Sequence, residues 1–379
     1  MKKVLVLFTC LMFLITPLNS YAEVYGLEAL ESEITDMVVE EHSDSAMVLA
    51  AEEVEPAGSS ELFMDQQLVK LKITSGKYKN EIVEITNNLS GHLYYDLIVK
   101  PGDKVIVLIE EYEDGSMDVF ITDYMRQNYS IYLTLLFILL IIVIGRMKGV
   151  KAVVTLTVTL LAIVKVLLPA ILNGFNPIPI TIGISLFITV FTLFVLAGIN
   201  TKSISAILGT TGGVLVAGFL AYYVGTHVKL TGMSSEEAVM LLYIPQNISF
   251  DFRGLLFSGI ILGSLGAVMD IGMSISSAIE EIHKANPLLT KGQLFSSGMN
   301  VGRDVMGTMT NTLILAYTGS SIPLLLLFMA YETSLIKILN LDVIATEIIR
   351  SLTGSIGLVI AIPLTAAISS ILLKRSKNN

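Results

Sequence analysis

Residues 302–326, GRDVMGTMTNTLILAYTGSSIPLLL, form a run that is apolar enough to enter a lipid bilayer. The run nevertheless contains Arg303, Asp304, Thr308, Asn311 and Thr318. Polar groups are costly in hydrocarbon, so a membrane segment that keeps them has a structural or functional reason for doing so. Residues 304, 308, 311 and 318 are three, four or seven positions apart, which places them on one face of a helix. The run therefore predicts a membrane helix with one polar face.

The composition of the whole chain supports a membrane location. Of its 379 residues, 53% are hydrophobic and only 15% are charged, and this balance excludes an ordinary soluble protein. Several apolar runs are each close to the ~20 residues that cross a bilayer as a helix. They lie near residues 130–147, 151–172, 178–198, 204–226, 254–275, 305–328 and 352–373. We therefore expect an all-α membrane bundle of about seven transmembrane helices in residues 128–379.

The first 22 residues have the pattern of a secretory signal peptide. Two lysines precede an apolar core, and small residues follow at Ser20 and Ala22. Cleavage after Ala22 and retention as an uncleaved signal anchor both remain open, and either one exports the segment that follows. The single cysteine, Cys10, lies inside this apolar core, so the remainder of the chain can form no disulfide.

Residues 23–66 are strongly acidic. Between Glu23 and Val69 there are 13 Asp and Glu residues and no Lys or Arg, which outweighs the whole net charge of -9. This composition predicts an acidic arm that is partly helical or disordered. It would serve as a solvated spacer or, alternatively, bind cations.

Residues 67–127 change to short alternating runs typical of β-strands. The runs are LVKLKIT, EIVEITN, LYYDLIVK, KVIVLIEEY and MDVFITDY, separated by turn residues such as Pro101-Gly102-Asp103. They predict a small exported domain resembling an OB or SH3-like β-barrel. We see no aromatic or basic stripe that would bind nucleic acid.

The positions of the basic residues predict the orientation in the plasma membrane. With the β domain outside, ten Lys and Arg residues fall in the inner segments against four in the outer ones, which agrees with the positive-inside rule. The carboxyl end would then be cytoplasmic. Residues 334–352 have charges at helical spacing among apolar residues, which predicts an interfacial amphipathic helix.

A further ionisable residue, Asp270, lies inside the membrane span that precedes the polar helix. It lies about five residues before the inner end of that span, and Ser274 continues the same helix face. Counting ~1.5 Å per residue, Asp270 reaches the depth of Thr308 and Asn311 on the next, antiparallel span. We expect these two spans to face one another, with Arg303 or Asp304 at the cytoplasmic mouth.

A carboxylate in such a place can exchange a proton or hold a cation together with hydroxyl and amide oxygens. A purely structural Asp270, satisfied by neighbouring hydroxyls or paired with Arg303, is the alternative. The sequence has no HExxH, GxSxG or Walker motif, and its four histidines are scattered. We therefore expect no enzymatic activity, no metal and no cofactor.

Three stretches carry a resemblance to a known family. They are GLLFSGIILGSLGAVMDIGMSISSAIEEI, SSGMNVGRDVMGTMTNTLILAYTGSS and IATEIIRSLTGSIGLVIAIPLTA, all within residues 125–373. Together they resemble the YibE/F-like family of bacterial multi-pass membrane proteins. The resemblance implies the architecture and little about mechanism.

Two functions fit these observations. The first is a permease or transport-related protein in which Asp270, Ser274, Arg303, Asp304, Thr308 and Asn311 handle an unknown small solute or ion. The second is a membrane scaffold, assembly factor or sensor that does not transport and whose exported domain binds an envelope protein.

Overall fold

The computed structural model describes residues 38–54, 65–92, 96–112, 115–244, 249–332 and 334–375. The predicted signal peptide of residues 1–22 and the first part of the predicted acidic arm lie outside these ranges. The chain divides into two compact units, one within residues 18–140 and the other within residues 141–379. The first unit contains a β-sheet, and the second is helical.

Five antiparallel strands form the sheet. They are β1 (Val38–Val54), β2 (Asp65–Ile73), β3 (Ile82–Leu89), β4 (Lys104–Tyr112) and β5 (Met117–Tyr124), in the spatial order β3-β2-β1-β4-β5. The long strand β1 is central because its first part pairs with β4 and its second part with β2. The outer strands β3 and β5 also contact each other, so the sheet curls into a half-barrel.

Alternating side chains along the strands fill one face of the sheet. Val69, Leu71 and Ile73 of β2 are fully buried, and they pack with Val105 and Val107 of β4. This is the period-two burial expected of a sheet with one covered face. It confirms the predicted small β domain, which has a half-barrel fold.

The prediction of a partly helical or disordered acidic arm is wrong for residues 38–54. These residues form the central strand β1. Ala46 and Val48 face the core while Glu41, Glu52 and Glu53 are exposed, so the segment has the alternation of a strand. The high charge of its outer face concealed that alternation in the sequence.

A second correction concerns LYYDLIVK. Its described part, residues 96–100, has no regular strand structure. Side chains hold this part in place: the buried Gln67 accepts from the Val99 N–H at 3.1 Å and donates to the Val99 carbonyl at 3.3 Å. Asn87 donates to the Leu97 carbonyl at 2.8 Å. Because side chains satisfy this backbone, it needs no strand partner.

The helices follow the apolar runs of the sequence. The long ones are α1 (Gln127–Ala162), α3 (Pro177–Ala197), α4 (Thr201–His227), α6 (Phe252–Ala285), α7 (Lys291–Ser320) and α10 (Asp342–Arg375). The short ones are α2 (Leu168–Leu172), α5 (Glu236–Met240), α8 (Ile322–Ala330) and α9 (Leu335–Leu339). A π-helical turn, Ile163–Leu167, joins α1 to α2, and a 3-10 turn, Leu241–Tyr243, follows α5.

The number of membrane spans depends on how two breaks are counted. Within the described residues, five helices are long and apolar enough to cross a membrane, and α7 with α8 makes a sixth that is bent by 59°. One of the five is the continuous stretch Gln127–Leu172 of 46 residues. Arg146 has a non-helical backbone with φ of 49° inside it. Dividing the stretch there gives the seven spans expected from the sequence.

Close packing through glycines builds the centre of the helical unit. Gly209 of α4 lies against Thr365 of α10, and Gly213 lies against the Gly357 carbonyl of the same helix. Gly272 of α6 lies near Thr210 of α4. Small residues allow backbones to approach closely, which is a common way to join membrane helices. Helix α4 runs without a break through Gly212 and Gly213.

The single separate helix expected at residues 334–352 is not formed. The segment divides into α9 and the first turns of α10, a continuous helix of 34 residues. Three of its charged residues have partners within the helical unit. Asp342 accepts from the Thr231 N–H and hydroxyl at 3.2 and 2.8 Å, and Arg350 pairs with Glu347 at 2.7 Å.

Candidate functional site

Helix α6 places Asp270 on its uncovered side. Its neighbours at helical spacing on that side are Gly259, Gly263, Gly266 and Ser274, and all of them are exposed in the helical unit. The opposite side of α6 is the core side, where Val268, Ile271 and Ile275 are almost fully buried. Asp270 thus belongs to a narrow, mostly small-residue stripe that the described helices leave open.

Helix α7 turns its polar face away from the core. Leu294, Gly298, Gly302 and Leu313 are buried against the rest of the unit. The polar residues Asp304, Thr308, Asn311 and Thr318 are exposed, as is Arg303. The prediction that these residues share one helix face is therefore confirmed. The structure shows in addition that this face points away from the core of the helical unit.

Three contacts fix the depth of Asp270 relative to α7. Gly263 lies against the Tyr317 hydroxyl, Gly302 against Ile275, and Gly298 against Ile279. The two helices are therefore antiparallel neighbours. Asp270 lies between Gly263 and Ile275 along α6, so it stands at the level of Thr308.

The hydrogen bonds of these side chains are local. Arg303 donates to the Asn300 side-chain oxygen at 3.2 Å, and the Thr308 hydroxyl donates to the Val305 carbonyl at 2.9 Å. Within the described ranges, Asp270, Ser274, Asp304 and Asn311 make no hydrogen bond or salt bridge. The proposed structural pair between Asp270 and Arg303 is therefore not formed.

Sequence reasoning left two residues of this surface out of the site. Asn300 and Gly307 lie on the exposed face with Asp304 and Asn311, at intervals of four, three and four positions. That spacing was visible in the sequence and could have identified them. Gly307 was overlooked because a glycine carries no polar side chain.

A cavity of about 180 Å³ exists elsewhere in the helical unit. It is lined by Ile171, Gly174, Phe175, Asn176, Pro177, Ser249, Phe250 and Asp251. Asp251 is the N-cap of α6, so the cavity lies about 28 Å along that helix from Asp270. It is separate from the candidate site.

The Asp270 carboxylate can exchange a proton or bind a cation. A carboxylate, hydroxyls and an amide at one level of two adjacent helices are suitable oxygen donors. Across the described part of the chain, no group of three or more His, Cys, Asp or Glu side chains could hold a metal ion.

Two family models match the chain. The one described as YibE/F-like protein matches residues 133–375, which include α6, α7 and the whole candidate site. The chain belongs to the YibE/F-like family. The model of the YibE/F family N-terminal domain matches residues 47–124, from within β1 to the last residue of β5.

The family assignment confirms the resemblance found in the sequence. It also identifies the β domain as part of the YibE/F-like architecture, which the sequence alone had not shown. No curated protein and no solved structure matches the chain.

Proposed function

We propose that this YibE/F-like chain is a transport-related protein of the plasma membrane. Asp270 is its proton or cation site, Ser274, Thr308 and Asn311 line the path, and Arg303 and Asp304 stand at the cytoplasmic mouth. In this proposal the β domain is extracytoplasmic and the carboxyl end is cytoplasmic, as the distribution of Lys and Arg suggests.

The observation that carries the proposal is the common level of Asp270 and Thr308 on uncovered faces of adjacent helices. A structural carboxylate in a membrane protein is normally paired or hydrogen-bonded, since an unpaired charge in hydrocarbon is costly. Asp270 has no such partner within the described ranges. A solute, an ion or a proton that binds from a water-filled path would supply the missing interaction.

The proposal is tested in a strain that lacks this protein, by profiling its ions and small metabolites. Wild-type protein and Asp270→Glu, which keeps the carboxylate, should restore the altered solute. Asp270→Asn should fail to restore it at equal membrane abundance. Full restoration by Asp270→Asn would overturn a proton or cation role for this residue.

A second candidate is a scaffold, assembly factor or sensor whose exported domain binds an envelope protein. The outer face of the sheet favours it, because Leu68, Ile82 and Phe120 are 46%, 56% and 48% exposed there. Apolar side chains that stay exposed on a folded domain are available for contact with a partner protein.

Deletion of residues 23–124 distinguishes the two candidates. If the protein is a scaffold, the shortened chain inserts into the membrane but loses all function, while Asp270→Asn in the full chain keeps it. If it is a transporter through Asp270, the second variant is the one that loses function.

A further inference from the structure

The outward face of α7 contains an uninterrupted stripe, which we name the outer seam. Its members are Asn300, Asp304, Gly307, Asn311, Ile314 and Thr318, and every one of them is exposed in the helical unit. The opposite side of the same helix, with Gly298, Gly302 and Leu313, is buried in the core. Helix α7 therefore packs one face against its own chain and leaves the opposite face available to a partner.

The spacing of the outer seam is that of a two-helix contact. Its intervals are four, three, four, three and four residues, and a seam with an average repeat of 3.5 positions lets two helices stay in contact along their length. It covers 18 residues of rise, or about 27 Å, and runs past the predicted cytoplasmic mouth at Asp304 into the predicted membrane span of residues 305–328. The seam thus suits a membrane-spanning partner helix.

The chemistry of the seam is self-complementary. An asparagine amide both donates and accepts hydrogen bonds, so two identical asparagines can pair across a two-fold axis. Copies inserted in the same orientation bring equal positions of parallel helices together, which places Asn311 opposite Asn311. Interhelical hydrogen bonds of this kind join membrane helices, and a single asparagine in a seam can fix its register.

The charges at the inner part of the seam are also complementary between copies. Arg303 and Asp304 are adjacent and exposed, and they form no salt bridge with each other. In a parallel pair, Arg303 of one copy flanks Asp304 of the other. Opposite charges that meet in this way would offset the repulsion between the two Asp304 carboxylates.

Gly307 occupies the middle of the seam. A glycine inside a helix makes that helix less stable than an alanine would. A Cβ atom at Gly307 would meet nothing within 4 Å in the described structure, so no contact inside the chain requires a glycine there. Close approach of a second helix backbone does require a small residue.

We infer that the outer seam is a homodimer interface at which α7 packs in parallel against α7 of a second copy. The inference does not rest on the proposed transport function, because it uses only the spacing, exposure and chemistry of α7. In this dimer, the outer seam of one copy has the outer seam of the second copy as its partner.

Cysteine cross-linking in native membranes tests the interface. Cys10→Ser provides a cysteine-free full-length chain. Single cysteines are then placed at positions 307, 311 and 314 of the seam, and at 309 and 313 as controls on the opposite face. Oxidation should give a covalent pair with twice the mass of the chain at the seam positions, at least about tenfold more than at the controls. Equal yields at both sets, or seam adducts whose mass includes a different protein, would overturn the inference.

A matched pair of glycine variants gives an independent measurement. Gly307→Leu should raise the dissociation constant of the dimer in nanodiscs by at least about fivefold, as native mass spectrometry measures it. Gly319→Leu is the control, because Gly319 is also exposed on α7 with open space around it but lies off the seam. A purely monomeric wild-type chain, or equal effects of the two variants, would contradict the proposed interface.

Discussion

The Tyr317 hydroxyl of α7 lies against Gly263 of α6, only 2.6 Å from where a Cβ atom at that glycine would stand. This contact fixes one half of the α6–α7 pair, and the contact between Gly302 and Ile275 fixes the other half. Asp270 lies between the two and therefore at the level of Thr308. The proposed site depends on this register.

Replacing Gly263 should disturb that register. In Gly263→Val, the new side chain occupies the space of the Tyr317 hydroxyl, so the end of the tyrosine side chain must move away from α6. We expect a lower midpoint of thermal unfolding for the protein in detergent micelles. Gly259→Val is the matched control, because a Cβ at Gly259 meets nothing within 4 Å. Equal midpoints for the two variants would show that Tyr317 does not pack on Gly263.

Gln67 should hold residues 96–100 of the β domain in place. Gln67→Leu keeps the side chain's approximate volume but removes both hydrogen bonds to Val99. The buried N–H and carbonyl of Val99 are then left unpaired. Such a loss costs about 1–3 kcal/mol. Hydrogen–deuterium exchange should become faster at the Val99 amide.

The neighbouring Gln66 provides the control for this measurement. Its side chain donates only to the exposed Asn88 side chain, at 2.9 Å. Gln66→Leu should therefore leave exchange at Val99 unchanged, and a similar acceleration in both variants would refute the role assigned to Gln67.

The Tyr112 hydroxyl should lose its proton at an unusually high pH. Its hydroxyl contacts Asp118 at 3.1 Å and Glu110 at 3.3 Å. The hydrogen bond to Asp118, followed by desolvation and the nearby carboxylate charges, raises the pKa of Tyr112 to about 12 from 10.0. Because the folded pKa is the higher one, the stabilising contribution is complete below pH ~10 and is lost as the pH rises through about 12.

Spectrophotometric titration of the tyrosines measures this effect. Asp118→Asn should move one tyrosine transition to lower pH, and Tyr112→Phe should remove that transition. A titration curve that Asp118→Asn leaves unchanged would mean that the carboxylate does not hold the Tyr112 proton.

The sequence was most informative where period and hydropathy decide the structure. Strands β2, β3, β4 and β5 and the membrane helices follow their alternating or apolar runs. It was least informative where charge concealed a pattern. Strand β1 was hidden by the glutamates of its outer face, and the charges of residues 342–350 concealed that these residues begin the long helix α10.

The sequence predicted the level of the candidate site along the helices, but not whether the polar face of α7 points into the bundle or away from it. Helical spacing showed that Asp304, Thr308 and Asn311 share a face, and counting residues placed Asp270 at their level. Spacing cannot show which face a helix turns to its neighbours, because that depends on the whole bundle. The buried glycines Gly298 and Gly302 occupy the core side of α7, and the polar face is therefore the outward one.

The central claim is that Asp270 and Thr308 border a water-accessible path within the membrane. The most direct test is the reaction of single cysteines at positions 270 and 308, in the Cys10→Ser chain, with a water-soluble maleimide that does not cross lipid. The control is a cysteine at Phe187, a residue in the middle of α3 that is 51% exposed and expected to face lipid. We predict labelling at 270 and 308 and none at 187, from at least one side of the membrane. Cysteines at 270 and 308 that resist labelling from both sides, as the one at 187 does, would contradict the account.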